Sequence, residues 1–121
     1  MAGKRILVVD DSPTDRHFLS QLLSSKGYNV ITAEGAEDGI AKAKANKPDL
    51  ILMDVVMPGI NGFQATRTLT SDEATKNIPV ILCTSKNQET DRVWGMRQGA
   101  KDYVSKPIDE AELMGKVAAF A

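Results

Sequence analysis

Polar groups follow directly on short apolar runs at four separate places in the chain. Asp10 and Asp11 follow RILVV, Asp54 follows LILM, Thr84 and Ser85 follow VILC, and Lys106 follows DYVS. If these places meet, they bring three carboxylates, two hydroxyls and one ammonium to one spot. Carboxylates held within a few ångströms repel one another, and without a compensating cation at least one has its pKa raised. A divalent ion resolves the conflict. Magnesium prefers oxygen ligands, typically one or two carboxylates with water and phosphate oxygens. The paired acids Asp10 and Asp11, with Asp54 and a loop carbonyl near Val56, therefore read as a seat for Mg2+, with Mn2+ as a substitute of similar oxygen preference. The competing reading is that Asp10 or Asp11 merely caps a helix starting at Pro13, but Ser12 already suits that role.

Asp54 lies deep in apolar sequence, between LILM and VVM. Carboxylates are seldom placed so without a partner or a task. A carboxylate beside a divalent ion can attack phosphorus and form an aspartyl phosphate, and phosphoryl transfer demands charge neutralisation and in-line positioning more than acid–base chemistry. Lys106 would neutralise phosphoryl oxygens and the Thr84 hydroxyl would donate to one of them. Each has a plainer alternative: Lys106 as a solvated surface lysine, Thr84 as the start of a turn with Ser85. Pro107 directly after Lys106 favours the site, because an X–Pro bond adopts the cis form at little cost and a cis turn would aim Lys106 back over the strand ends.

The elements that must position these groups are legible from periodicity. Apolar runs at 5–9, 29–33, 50–53, 80–83 and 102–105 alternate with helix-like segments. The first, third and fourth runs are apolar at nearly every position, as expected of parallel strands covered on both faces, while the more polar fifth suits an edge. A helix starts after Ser12, with Pro13 at its first position and Asp15 completing an S-x-x-D capping box. Phe18, Leu19, Leu22 and Leu23 form its inner face and Gly27 ends it. Further helices are expected near 36–45, where Ile40 and several alanines imply close approach to a sheet, and over about 61–69, 88–98 and 109–120. Five strands alternating with five helices give an α/β fold, a doubly wound parallel sheet with right-handed crossovers. In such sheets ligands bind where the carboxyl ends of the strands gather, which is where the polar groups fall.

With 121 residues, 42% hydrophobic and 26% charged, the chain reads as one domain over 1–121 with no output domain. Fifteen basic residues against sixteen acidic ones leave no basic stripe for nucleic acid. The N-terminal MAGKRILVVDD is neither a leader nor a membrane span, so a cytoplasmic protein is expected. The single cysteine, Cys83 in PVILCTS, reads as a small core residue rather than a nucleophile.

The stretches VDD (9–11), LMDVVMPGINGF (52–63), ILCTS (81–85) and GAKDYVSKP (99–107) resemble those of CheY-type response-regulator receiver domains, over essentially the whole chain. The resemblance implies a flavodoxin-like sheet of order 2-1-3-4-5. It implies that Asp54 accepts a phosphoryl group from a histidine kinase or phosphotransfer domain, with Asp10, Asp11 and the Val56 backbone carbonyl in the magnesium site. Thr84 is then the switch hydroxyl, Lys106 contacts the phosphoryl group, and Tyr103 is the aromatic residue coupled to Thr84. On residues alone Tyr103 reads equally as a core tyrosine with a satisfied hydroxyl. In the two-state reading, Thr84 moves inward and Tyr103 follows into the vacated space. A monomer is expected, with a downstream protein partner on the last two helices and the last strand.

A finer resemblance, carried by MPGINGFQATRTLT and NQETDRVWGMRQGAKDYVSKP, is to PilH-like stand-alone regulators of type IV pilus twitching motility and its chemotaxis-like signalling. It rests on residues such as Trp94, whose alternative is ordinary packing beside Val93. Gly95 in mid-helix costs about 1 kcal/mol relative to alanine, and the sequence offers no reason for it. Other functions fit less well. A haloacid-dehalogenase-type phosphatase would want D-x-D after the first strand, and a flavodoxin-like cofactor binder would want a hydroxyl- or glycine-rich loop where DDSPTD is acidic. A degenerate receiver would lack some of the five site residues. A phosphate sink for another regulator shares all of this chemistry.

Overall fold

The computed structural model describes residues 4–121. Residues 1–3, part of the stretch read against a leader, lie outside the described residues. Strands β1 (Arg5–Val9), β2 (Asn29–Ala33), β3 (Leu50–Met53), β4 (Val80–Thr84) and β5 (Asp102–Ser105) alternate with helices α1 (Pro13–Ser25), α2 (Ala36–Asn46), α3 (Gly62–Ser71), α4 (Glu89–Arg97) and α5 (Glu110–Phe120). The sheet has the expected order β2-β1-β3-β4-β5, all parallel. Among the described residues no helix is long and apolar enough to cross a membrane.

Strand periodicity divides the core into two layers. Leu7, Val9, Ile51, Met53, Val80 and Leu82 face one way and pack with residues of α2 and α3, including Ala43, Phe63 and Leu69. Ile6, Val8, Leu50, Leu52, Ile81 and Cys83 face the other way, against Leu19, Leu22 and Leu23 of α1 and Leu113 and Val117 of α5. Both faces of the central strands are dry, which is why their sequences show no polar alternation. Cys83 is buried and its thiol is pushed up to about 12, chiefly by burial, which leaves no thiolate to react at neutral pH.

Several local expectations are corrected. Ser12 does cap α1, its hydroxyl accepting from the Asp15 N–H at 3.2 Å. The reciprocal half of the capping box does not form, because the Ser12 N–H donates to Asp10 Oδ1 at 2.9 Å and the Asp15 carboxylate points elsewhere. Phe18 is exposed rather than part of the inner face, which consists of Leu19, Leu22 and Leu23. On α2 the expected small-residue face is present, with Ala36 and Ala43 buried and Ile40 against the core, and Gly39 belongs to it too, since a Cβ there would stand 2.8 Å from Val9 Cγ2. The Asn61–Gln64 capping box opens α3, which runs two residues past its expected end at Leu69. Thr84 is the last residue of β4 and fully buried, and its hydroxyl also accepts from the Lys86 N–H at 3.3 Å, so the strand-end and turn-start readings both hold.

Gly95 acquires a reason. A Cβ there would lie 2.5 Å from Leu82 Cδ1, 3.2 Å from Phe63 Cε1 and 3.4 Å from Tyr103 Cδ2, so α4 rests directly on these three side chains. Its neighbours Val93, Trp94 and Met96 point outward, with Trp94 51% exposed, so Trp94 is a surface residue and not packing.

Candidate functional site

The strand ladders extend past the strand ends and carry the site residues with them. Val9 pairs with Met53 in register, and the ladder continues as the Asp54 N–H donates to the Val9 carbonyl at 2.9 Å. On β1's other side the Asp10 N–H donates to the Ala33 carbonyl at 3.1 Å. Thr84 pairs with Ser105, and the Lys106 N–H donates to the Thr84 carbonyl at 2.9 Å. Asp10, Asp54, Thr84 and Lys106 are thereby fixed by main-chain hydrogen bonds along a single edge of the sheet.

Asp10, Asp11 and Asp54 each place a carboxylate oxygen so that the three lie within 4.8 Å of one another. Asp10 and Asp54 are buried, while Asp11 is exposed. Burial is the main cause that raises the Asp54 carboxyl above its usual range, and the charge of Asp10 adds to it. Lys106, the Thr84 hydroxyl and the Val55 N–H, which donates to Asp54 Oδ1 at 2.9 Å, work against that rise without cancelling it. Such an all-oxygen, net-negative cluster has the donor chemistry of a magnesium site. Val56 follows Asp54 by two residues with its side chain exposed.

Lys106 is not a solvated lysine. Its side chain is 15% exposed, and Nζ donates to Asp10 Oδ2 at 2.7 Å and to Asp15 Oδ2 at 2.8 Å, with Asp54 Oδ1 at 3.9 Å. Burial pulls the ammonium's pKa down, but the bonds to Asp10 and Asp15 outweigh it and hold the group above its ordinary value. The Lys106–Pro107 peptide is cis, as expected. Beside Lys106 lies an open cavity of about 330 Å³ lined by Asp15, Phe18, Leu19, Pro107 and Ile108.

Tyr103 occupies the inward position of the expected switch. Its ring is 2% exposed and its hydroxyl donates to the Lys86 carbonyl, so the inward position is filled here by a core tyrosine with a satisfied hydroxyl. Gly95 lies beside the ring, where a Cβ would make ordinary contact at 3.4 Å; the close approach that only glycine allows is to Leu82. Burial, with help from Asp91, pushes the phenol up to about 12. The Thr84 oxygen accepts from the Lys86 N–H at 3.3 Å, so Thr84 and Tyr103 grip the same residue of the β4–α4 loop.

Two further residues belong to the site. Asp15 was read from the sequence only as a cap, yet its carboxylate binds Lys106. Arg16 donates from Nη1 to the Asp10 main-chain carbonyl at 2.7 Å. No spacing rule announces either contact: the first depends on where β5 ends relative to α1, the second on how the first turn of α1 folds back over the end of β1. Ser85, counted with the site hydroxyls, is exposed just beyond β4.

Residues 6–118 match the response regulator receiver domain family. The chain is 56% identical to the protein PilH of Pseudomonas aeruginosa over 95% of both chains. Among solved structures it resembles, at 31% identity and a TM-score of 0.90, the receiver domain of a Pseudomonas aeruginosa sensor histidine kinase with magnesium coordinated in its active-site cleft, over 98% of each chain. It also resembles a chain of the CheX-CheY-BeF3-Mg complex of Borrelia burgdorferi, at 28% identity and a TM-score of 0.91, covering 98% of this chain and 89% of that one.

Proposed function

This chain belongs to the response regulator receiver domain family of two-component signalling, and from that premise we propose that Asp54 is its phosphoacceptor, served by a histidine kinase or phosphotransfer domain. The observation that carries this reading is the meeting of three carboxylates within 4.8 Å with an ammonium 3.9 Å from Asp54. Asp10, Asp11, Asp54 and the Val56 carbonyl would hold Mg2+, with Mn2+ as a substitute. When bound, the ion supplies positive charge to the phosphoryl oxygens and offsets the repulsion among the carboxylates.

The chain's own groups do the rest. The Asp54 carboxylate attacks the phosphorus of the donor, and its oxygen–phosphorus bond forms as the donor's nitrogen–phosphorus bond breaks. Lys106 Nζ donates to a phosphoryl oxygen, and the Thr84 hydroxyl turns to donate to another. As Thr84 turns, it gives up its hold on the Lys86 N–H, and the β4–α4 loop that also anchors Tyr103 is freed to rearrange. Differential stabilisation of a few kcal/mol is enough to exchange the dominant state.

The output is a binding event and not catalysis on a separate substrate: a cytoplasmic partner protein docks on α4, β5 and α5. The exposed Val93, Trp94 and Met96 on α4 support this face. Residues 1–121 act as a single receiver domain, an extent that the 95% coverage of PilH supports; we read it as monomeric and without nucleic-acid contact. The pathway we propose is that of the PilH-like regulators of type IV pilus motility.

Incubation with acetyl phosphate and magnesium, followed by intact-mass measurement, tests the acceptor. One phosphoryl group is expected on the wild type and none on Asp54→Asn. A mass gain that survives the substitution would place the acceptor elsewhere. Partner affinity with and without beryllofluoride tests the face, and equal affinity would reject it.

A further inference from the structure

Lys106 has three protons to donate, and two are committed to Asp10 and Asp15. Asp10 belongs to the three-carboxylate cluster, whereas Asp15 stands outside it on the first turn of α1. The Asp15 side chain is 41% exposed and has no second partner among the described residues, and its cap to Ser12 is made by its main-chain N–H alone. The carboxylate therefore makes no capping hydrogen bond of its own. Its bond to Lys106 draws the ammonium toward α1, away from the Asp54 oxygen 3.9 Å distant.

We propose that Asp15 is a positioning residue that competes with the phosphoryl group for Lys106, and so weakens the phosphorylated state of this chain. The inference rests on the phosphoacceptor reading of Asp54. A phosphoryl group on Asp54 needs Lys106 Nζ to move toward Asp54, which lengthens or breaks its bond to Asp15, and it adds negative charge near the Asp15 carboxylate, so both the lost hydrogen bond and the repulsion act against it. The two effects can be separated, because only the first requires Lys106.

The test is beryllofluoride affinity at saturating magnesium for wild type, Asp15→Asn, Lys106→Met and the double variant, read by tryptophan fluorescence with beryllofluoride raised until each curve saturates. Asp15→Asn is isosteric and leaves the cap intact, and Asp15→Ala serves as a second variant if it folds poorly. The expected result is affinity tightened about three- to tenfold by Asp15→Asn, with little or no change from the same substitution in the Lys106→Met background. Unchanged or weakened affinity would overturn the proposal, as would equal tightening in both backgrounds, which would assign the effect to direct repulsion. A wild type that binds no beryllofluoride, or an Asp54→Asn that binds it equally well, would instead refute the phosphoacceptor reading itself.

Discussion

The two ends of β5 carry ionic clusters of opposite design. At its start, Asp102 sits between Lys116 of α5 at 3.1 Å and Arg92 of α4 at 3.6 Å, and Lys116 also pairs with Glu112 at 3.4 Å. Two acids meet two bases. Just beyond its other end, Lys106 faces Asp10, Asp15 and Asp54, with Asp11 alongside, while Arg16 gives its nearest bond to a main-chain carbonyl. Four acids share one ion-paired base. The balanced cluster is complete from the chain's own residues and ties α4 and α5 to the sheet. The unbalanced one is completed only by charge from outside, which is what makes it a site.

The largest test of this contrast removes the lone base. Lys106→Met should cost about 3 kcal/mol of unfolding free energy in chelator, because it leaves buried carboxylates uncompensated, and denaturant melts should show much of the loss returning with magnesium. Next, magnesium at about a hundredfold over its dissociation constant should stabilise the wild type by about 2.7 kcal/mol, and Asp11→Asn should abolish most of that gain. Third, Asp54→Asn should raise Tm in chelator at pH 7 by about 5 °C. The sign follows from the raised folded-state pKa: the native state keeps the proton longer than the unfolded chain, so stability falls as pH rises from 3.8 through the folded value. Asparagine removes that loss, and its advantage should vanish below pH 3.8. An advantage that persisted in acid would mean that Asp54 is not strained by its charge. The smallest effect belongs to the balanced end. Asp102→Asn should cost no more than about 1 kcal/mol, shrink with salt and ignore magnesium; a cost rivalling that of Lys106→Met would erase the distinction.

The same contrast marks how far the sequence could be read. Asp10, Asp54, Thr84 and Lys106 were legible because each follows an apolar run, and a parallel sheet delivers the ends of such runs to one edge whatever the details of packing. The strand order came from resemblance, since alternation alone does not rank neighbours. Asp15 was misassigned because S-x-x-D satisfies a local rule, and the Lys106 ammonium that claims its carboxylate lies 91 residues away. Tyr103 was ambiguous for a similar reason. Its inward position is matched by partners on other elements: the Lys86 carbonyl that accepts its hydroxyl, and α4, which Gly95 lets rest on Leu82 beside the ring. Local signals thus fixed the elements, and long-range complementarity, which has no periodicity, decided the partners.

Trp94 is the chain's sole tryptophan, and it stands half in solvent on the helix expected to meet a partner. All indole emission consequently originates at that one location. A displacement of the helix, or a protein settling over it, would be reported by the colour and intensity of native fluorescence, so the molecule carries its own optical gauge and needs no attached dye.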